Sequence, residues 1–159
     1  MQVSTRSTGV SLAKGPVWIL GALGVAYGVT GLIFGGHGFS TSQVPHGAVT
    51  GTHWLGLLAN GWTNALFIAA GVLLLFSSPL HWGAKTGAML VALALGAAAV
   101  IAVIRGNGVF GLFAANHVTE IVWGGAAVLL AVLSTLPRVG RTSEDVRTAP
   151  PAPPVAPTH

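Results

Sequence analysis

The chain has 159 residues, of which 6% are charged and 52% hydrophobic, and it contains no cysteine. A soluble domain carries about 25% charged residues, so this composition leaves too few charges to coat a water-soluble fold. The missing thiols exclude disulfides, thiolate nucleophiles, iron–sulfur ligation and thiolate zinc sites.

Taken in chain order, residues 1–14 read as a short unstructured leader. The first apolar run, at about 16–34, exceeds the ~7–15 residues of a secretory signal core. Gly35-Gly36-His37-Gly38 after it is a poor cleavage site, so the run is expected to be a retained helix. Further apolar runs follow at about 60–78, 86–104 and 117–136. Each approaches the ~20 residues that a helix needs to cross a ~30 Å hydrocarbon core. The chain then changes character at 138–159. Arg141-Thr142-Ser143-Glu144-Asp145 is polar, and Pro150, Pro151, Pro153, Pro154 and Pro157 follow. Such a segment cannot bury enough apolar area to offset its ordering entropy, and it reads as a disordered tail with polyproline II character. The fold class expected is all-α: an integral membrane four-helix bundle over 15–137.

The basic residues set an orientation. Arg6 and Lys14 precede the first run, Lys85 lies between the second and third, and Arg138, Arg141 and Arg147 follow the fourth. Arg105 stands alone on the other side. The positive-inside rule then makes both termini cytoplasmic and the connections 35–59 and 105–116 external. Basic residues scattered around apolar runs do not indicate nucleic acid as a partner; lipid is the expected one.

The two halves also resemble each other. Trp54-Leu55-Gly56-Leu57-Leu58-Ala59-Asn60 is similar to Val109-Phe110-Gly111-Leu112-Phe113-Ala114-Ala115-Asn116, and Thr63 and Phe67 align with Thr119 and Trp123. Two tandem helix pairs of one orientation would form a parallel repeat, related by an axis along the membrane normal.

Six polar residues collect at the start of the second and fourth runs: Asn60, Thr63, Asn64, Asn116, Thr119 and Glu120. Asn is a good N-cap because its side-chain oxygen accepts from an orphan amide two or three residues ahead. The group reads as capping and interhelical hydrogen bonding; the alternative is an anion pocket at two helix N-termini. Glu120 is the one formal charge inside the runs, and Arg105 is its expected ion-pair partner. A proton or ion site at that pair is the competing interpretation.

Gly21, Gly24, Gly28, Gly31 and Gly35 recur at alternating spacings of three and four, which forms one seam where another backbone can approach closely. Ala88, Ala92 and Gly96 in the third run offer a matching small-residue stripe, so the first and third helices are expected to pack together. Docking onto another membrane protein, or homo-oligomerisation, is the alternative use of the seam. His37, His46 and His53 share the first external connection without compact metal-ligand spacing, and no metal or cofactor is expected. Catalytic residues are not expected either, since no Ser–His or paired-acid arrangement lies in the helices.

Leu55-Gly56-Leu57 through Asn60 and Asn64, with Gly111-Leu112 through Asn116 as a second copy, resembles a family of small bacterial membrane proteins known as domain of unknown function 4383. The resemblance covers about 15–137. It departs where that family commonly has histidine: Thr63, Phe67 and Trp123 stand there instead. It implies a four-helix bacterial inner-membrane protein of no established activity. Four-helix membrane proteins of the DoxX type are a second, weaker likeness. The function expected is a non-enzymatic accessory or scaffold component of an envelope complex. A small ion or proton conduit using Glu120 and Arg105 is the alternative, and a membrane redox or metal-associated protein comes third.

Overall fold

The computed structural model describes residues 4–7, 9–44, 47–106, 108–139 and 142–145. Two units result, one over Ser11–Pro137 and one drawn from Met1–Val10 and Arg138–His159. In the second, β1 (Ser4–Ser7) pairs antiparallel with β8 (Thr142–Asp145), with Ser4 opposite Asp145 and Ser7 opposite Thr142. The short strands β2 (Val10–Ser11) and β7 (Arg138–Val139) form another two-stranded pairing. These stretches were expected to be unstructured. Set antiparallel, these polar strands exchange backbone hydrogen bonds with each other. The proline-rich run at 146–159 lies outside the described residues.

Four helices build the Ser11–Pro137 unit: α1 (Lys14–Phe34), α2 (Gly61–Ser77), α3 (His81–Arg105) and α4 (His117–Thr135). Three of them, α1, α3 and α4, are long and apolar enough to cross a membrane; α2, at 17 residues, is shorter. Helix α3 starts five residues before the apolar run at 86. Pro79 cannot continue α2, and the Ala84 amide donates to the Leu80 carbonyl at 2.8 Å, which recruits His81–Lys85 into the first turns. Only Ser78–Leu80 therefore separate α2 from α3.

Sequential helices pair as antiparallel hairpins, α1 with α2 and α3 with α4. The glycine seam of α1 consequently meets α2, which corrects the expected packing on α3. A Cβ at Gly24 would lie 3.3 Å from Gly71 Cα, and one at Gly28 would lie 2.6 Å from the Asn64 carbonyl oxygen. Gly71 returns the approach, since a Cβ there would sit 2.6 Å from the Gly21 oxygen. Gly31 faces the Asn64 side chain, and Gly35 at the helix end faces Trp54 rather than α2. The small residues of α3 serve the α4 contact instead. A Cβ at Gly96 would touch Ala127 at 3.5 Å, and one at Gly124 would touch Ala99 at 3.9 Å. Small residues on both partners decide this arrangement, Gly71 of α2 against the α1 glycines and Ala127 of α4 against Gly96, even though the shortest link joins α2 to α3.

The longer links carry β-hairpins. β3 (Thr52–Trp54) pairs with β4 (Leu57–Ala59), and β5 (Gly108–Val109) with β6 (Phe113–Ala114). The turns between them hold Leu55 and Gly56 at φ 48° and 87°, and Phe110 and Gly111 at φ 54° and 68°. Left-handed backbone at consecutive residues is what a tight turn between right-twisted strands needs.

Candidate functional site

Each hairpin leads into a helix through an asparagine cap. Asn60 Oδ1 accepts from the Thr63 amide at 2.9 Å and lies 3.0 Å from the Thr63 hydroxyl oxygen. Asn116 Oδ1 accepts from the Thr119 amide at 2.8 Å. It also lies 2.7 Å from the Thr119 hydroxyl. Each cap satisfies amides that the first helical turn leaves without intrahelical partners.

The remaining hydrogen-bonding capacity of these side chains crosses between the halves. Asn60 Nδ2 donates to the Leu112 carbonyl at 2.7 Å, and Asn116 Nδ2 donates to the Gly56 carbonyl at 3.2 Å. Thr63 Oγ1 donates to the Ala114 carbonyl at 3.0 Å. Thr119 Oγ1 lies between the Leu58 amide, at 3.1 Å, and the Leu58 carbonyl, at 3.2 Å. So the α2 cap holds the β5–β6 hairpin, and the α4 cap holds the β3–β4 hairpin. Asn60, Thr63 and Thr119 are at most 1% exposed, so cutting a bond that any of these three makes strands a buried polar group.

Asn64 is also fully buried, and its Nδ2 donates to the Gly36 carbonyl at 2.8 Å. Its Oδ1, which faces Gly31, has no hydrogen-bond partner. Glu120 does not meet Arg105, which is exposed at the end of α3. Its partner is His117, one turn earlier on α4, with Nδ1 2.8 Å from Oε2. An acid at i+3 reaches back along its own helix at little entropic cost, whereas Arg105 would have to hold a long side chain across a chain link. His37 and His53 are exposed, and His46 lies outside the described residues. Among the described residues no three His or acidic groups gather closely enough to hold a metal ion.

Between the β3–β4 hairpin and the middle of the helices lies an apolar cavity of about 250 Å³. Its hairpin end is closed by Leu57 and by Tyr27, whose hydroxyl donates to the Trp54 carbonyl at 3.1 Å. Phe67 packs edge-on against Tyr27, with ring centroids 4.8 Å apart. The back wall is Leu74, Val91, Leu95 and Leu130, all no more than 5% exposed. At the mouth, Leu23 of α1 and Val122 of α4 are 61% and 37% exposed.

Sequence reasoning missed the cavity and His81. Burial of His81 at 8% exposure, with the Ser11 hydroxyl 2.6 Å from its Nδ1, ties the start of α3 to the segment before α1. No local pattern announces such a contact. The turn signal, by contrast, was available: Leu55-Gly56 and Phe110-Gly111 are X-Gly pairs between apolar stretches, the form that a tight hairpin takes. The chain matches no family model, no curated protein and no solved structure.

Proposed function

We propose that this chain is a non-enzymatic, multi-pass protein of a bacterial plasma membrane, with both termini cytoplasmic, that serves as an accessory or scaffold component of an envelope complex. Membrane insertion is supported by three long apolar helices and by a charged fraction of 6%. The orientation is supported by six basic residues on the side of the termini against Arg105 on the other. A conduit needs polar positions at several depths. Helix α3 carries none between Thr86 and Arg105, which favours the scaffold over transport.

The observation that carries the scaffold reading is the pair of hairpin tips. Leu55 and Phe110 are 73% and 56% exposed, and both have positive φ, where Asn or Gly would be less strained. Bulky apolar side chains kept at exposed, strained positions suit a surface that another protein covers. The reciprocal Asn and Thr bonds fix the two tips relative to each other, as a docking platform requires.

The test is co-purification from native membranes in mild detergent, comparing the parent chain with a Leu55→Asn, Phe110→Asn double variant. A stoichiometric partner that is lost on substitution, while the variant still folds, is the expected result. The same partners in both samples, or none in either, would remove the basis for the scaffold. Topology is checked separately with single cysteines at Ser42 and Ser143 and a membrane-impermeant thiol reagent in intact cells. Labelling is expected at 42 alone, and labelling at 143 alone would invert the orientation.

A further inference from the structure

We infer that the cavity between the two helix pairs is a binding site for one hydrocarbon chain of a membrane lipid, entered sideways between α1 and α4. The inference rests on the membrane reading above. Chain connectivity explains where the opening lies. In this chain α1–α2 and α3–α4 are tightly packed pairs, and α1 touches α3 and α4 only sparsely. The seam between α2 and α3 is drawn together by a link of only Ser78–Leu80. No link ties α1 to α4, and there the exposed Leu23 and Val122 flank the opening to the cavity.

The lining selects the occupant. The one polar side chain in the wall, Tyr27, already donates its hydroxyl proton to Trp54, so the wall offers a guest no free donor. Water needs two to four polar partners to stay in such a space and would find too few. The wall runs from Tyr27 to Leu20 along α1, seven residues or ~10 Å, about two-thirds of the ~15 Å hydrocarbon depth of one leaflet. A helix from another chain, ~10–12 Å across with its side chains, would have to part α1 from α4 to reach Leu74 and Leu95 at the back. A single acyl chain would not. Its headgroup would lie at the level of the hairpins, and the tail would point toward the membrane centre.

The test uses the full chain reconstituted in phosphatidylglycerol vesicles doped with a phospholipid that carries a diazirine midway along one acyl chain. After illumination, adducts are mapped by tandem mass spectrometry. Adducts on Leu74 and Leu95 are expected, because bulk lipid cannot reach residues that are 3% and 5% exposed. Ala126→Phe fills the space from α4, and Val122→Trp blocks its mouth. Each should reduce the Leu74 and Leu95 adducts several-fold and leave those on the outward-facing Leu93 and Val100 unchanged. The adduct map of the unsubstituted chain decides even if a variant fails to fold: adducts on Leu93 and Val100 without any on Leu74 or Leu95 overturn the site. Shielding of Leu74 and Leu95 that grows with protein-to-lipid ratio would assign the space to a second copy, and also overturns it. Absence of adducts everywhere would instead reject membrane insertion.

Discussion

Asn60 and Asn116 each cap their own helix with Oδ1 and hold the other half's hairpin with Nδ2, Asn60 through Leu112 and Asn116 through Gly56. One side chain thus sets the start of a helix and also its position against the opposite half. Thr63 and Thr119 sit at the same two junctions, each with its hydroxyl within hydrogen-bond distance of the cap next to it and of a strand in the other half. The result is a reciprocal brace at one end of the unit, which gives partners to amides that the helix termini would otherwise leave unpaired.

Replacing Asn60 with Ala should be costly. It removes the cap and leaves the Leu112 carbonyl unpaired, for a loss of about 1–3 kcal/mol. Asn116→Ala should cost less, because Asn116 is half-buried whereas Asn60 is 1% exposed. Thermal unfolding in detergent micelles compares the two. Equal and negligible shifts would show that the brace does not hold the hairpins.

Two glycine-to-alanine changes should act in opposite directions. A Cβ at Gly28 would come within 2.6 Å of the Asn64 carbonyl and of Ile68, so Gly28→Ala must push α1 from α2. Overpacking of this kind costs about 1–3 kcal/mol. Gly125 in α4 has nothing within 4 Å of an added Cβ. Gly125→Ala should therefore gain about 0.5–1 kcal/mol from reduced backbone freedom in the unfolded chain. Melting curves of the two variants, read against the parent, check the signs.

Glu120 gives a coupling prediction. A double-mutant cycle of Glu120→Gln with Arg105→Gln should show no interaction energy, since the two residues do not pair. A cycle with His117→Ala should show coupling of no more than about 1 kcal/mol, because the His117 side chain is 92% exposed. Strong coupling between Glu120 and Arg105 would mean that the end of α3 and the start of α4 lie closer than the structure places them.

Relief of turn strain should be measurable by itself. Leu55 holds φ 48° with no glycine freedom, and Asn tolerates that region better. Leu55→Asn should raise stability by about 1 kcal/mol, because the X-Gly turn becomes Asn-Gly. A fall in melting temperature would mean that the leucine side chain makes a stabilising contact at the tip.

The sequence by itself determined the elements whose information is local. Apolar runs bounded by Asn60 and Asn116 specify α2 and α4, and both cap bonds close over three residues, to Thr63 and Thr119. A seam of glycines at spacings of three and four specifies a surface for close approach. The tertiary structure alone decided what meets that surface: α2, whose own Gly71 lets the two backbones come close, rather than the small-residue stripe of α3. It also decided where the spare donors go, since the Asn60 and Asn116 amides find carbonyls 52 and 60 positions away. Glu120 shows the same division from the other side. Charge counting pairs it with the one cation nearby in sequence order, whereas helical geometry pairs it with His117 at i−3. The apolar cavity belongs wholly to the tertiary level, because it is the space left where four helices meet and one seam has no link to close it.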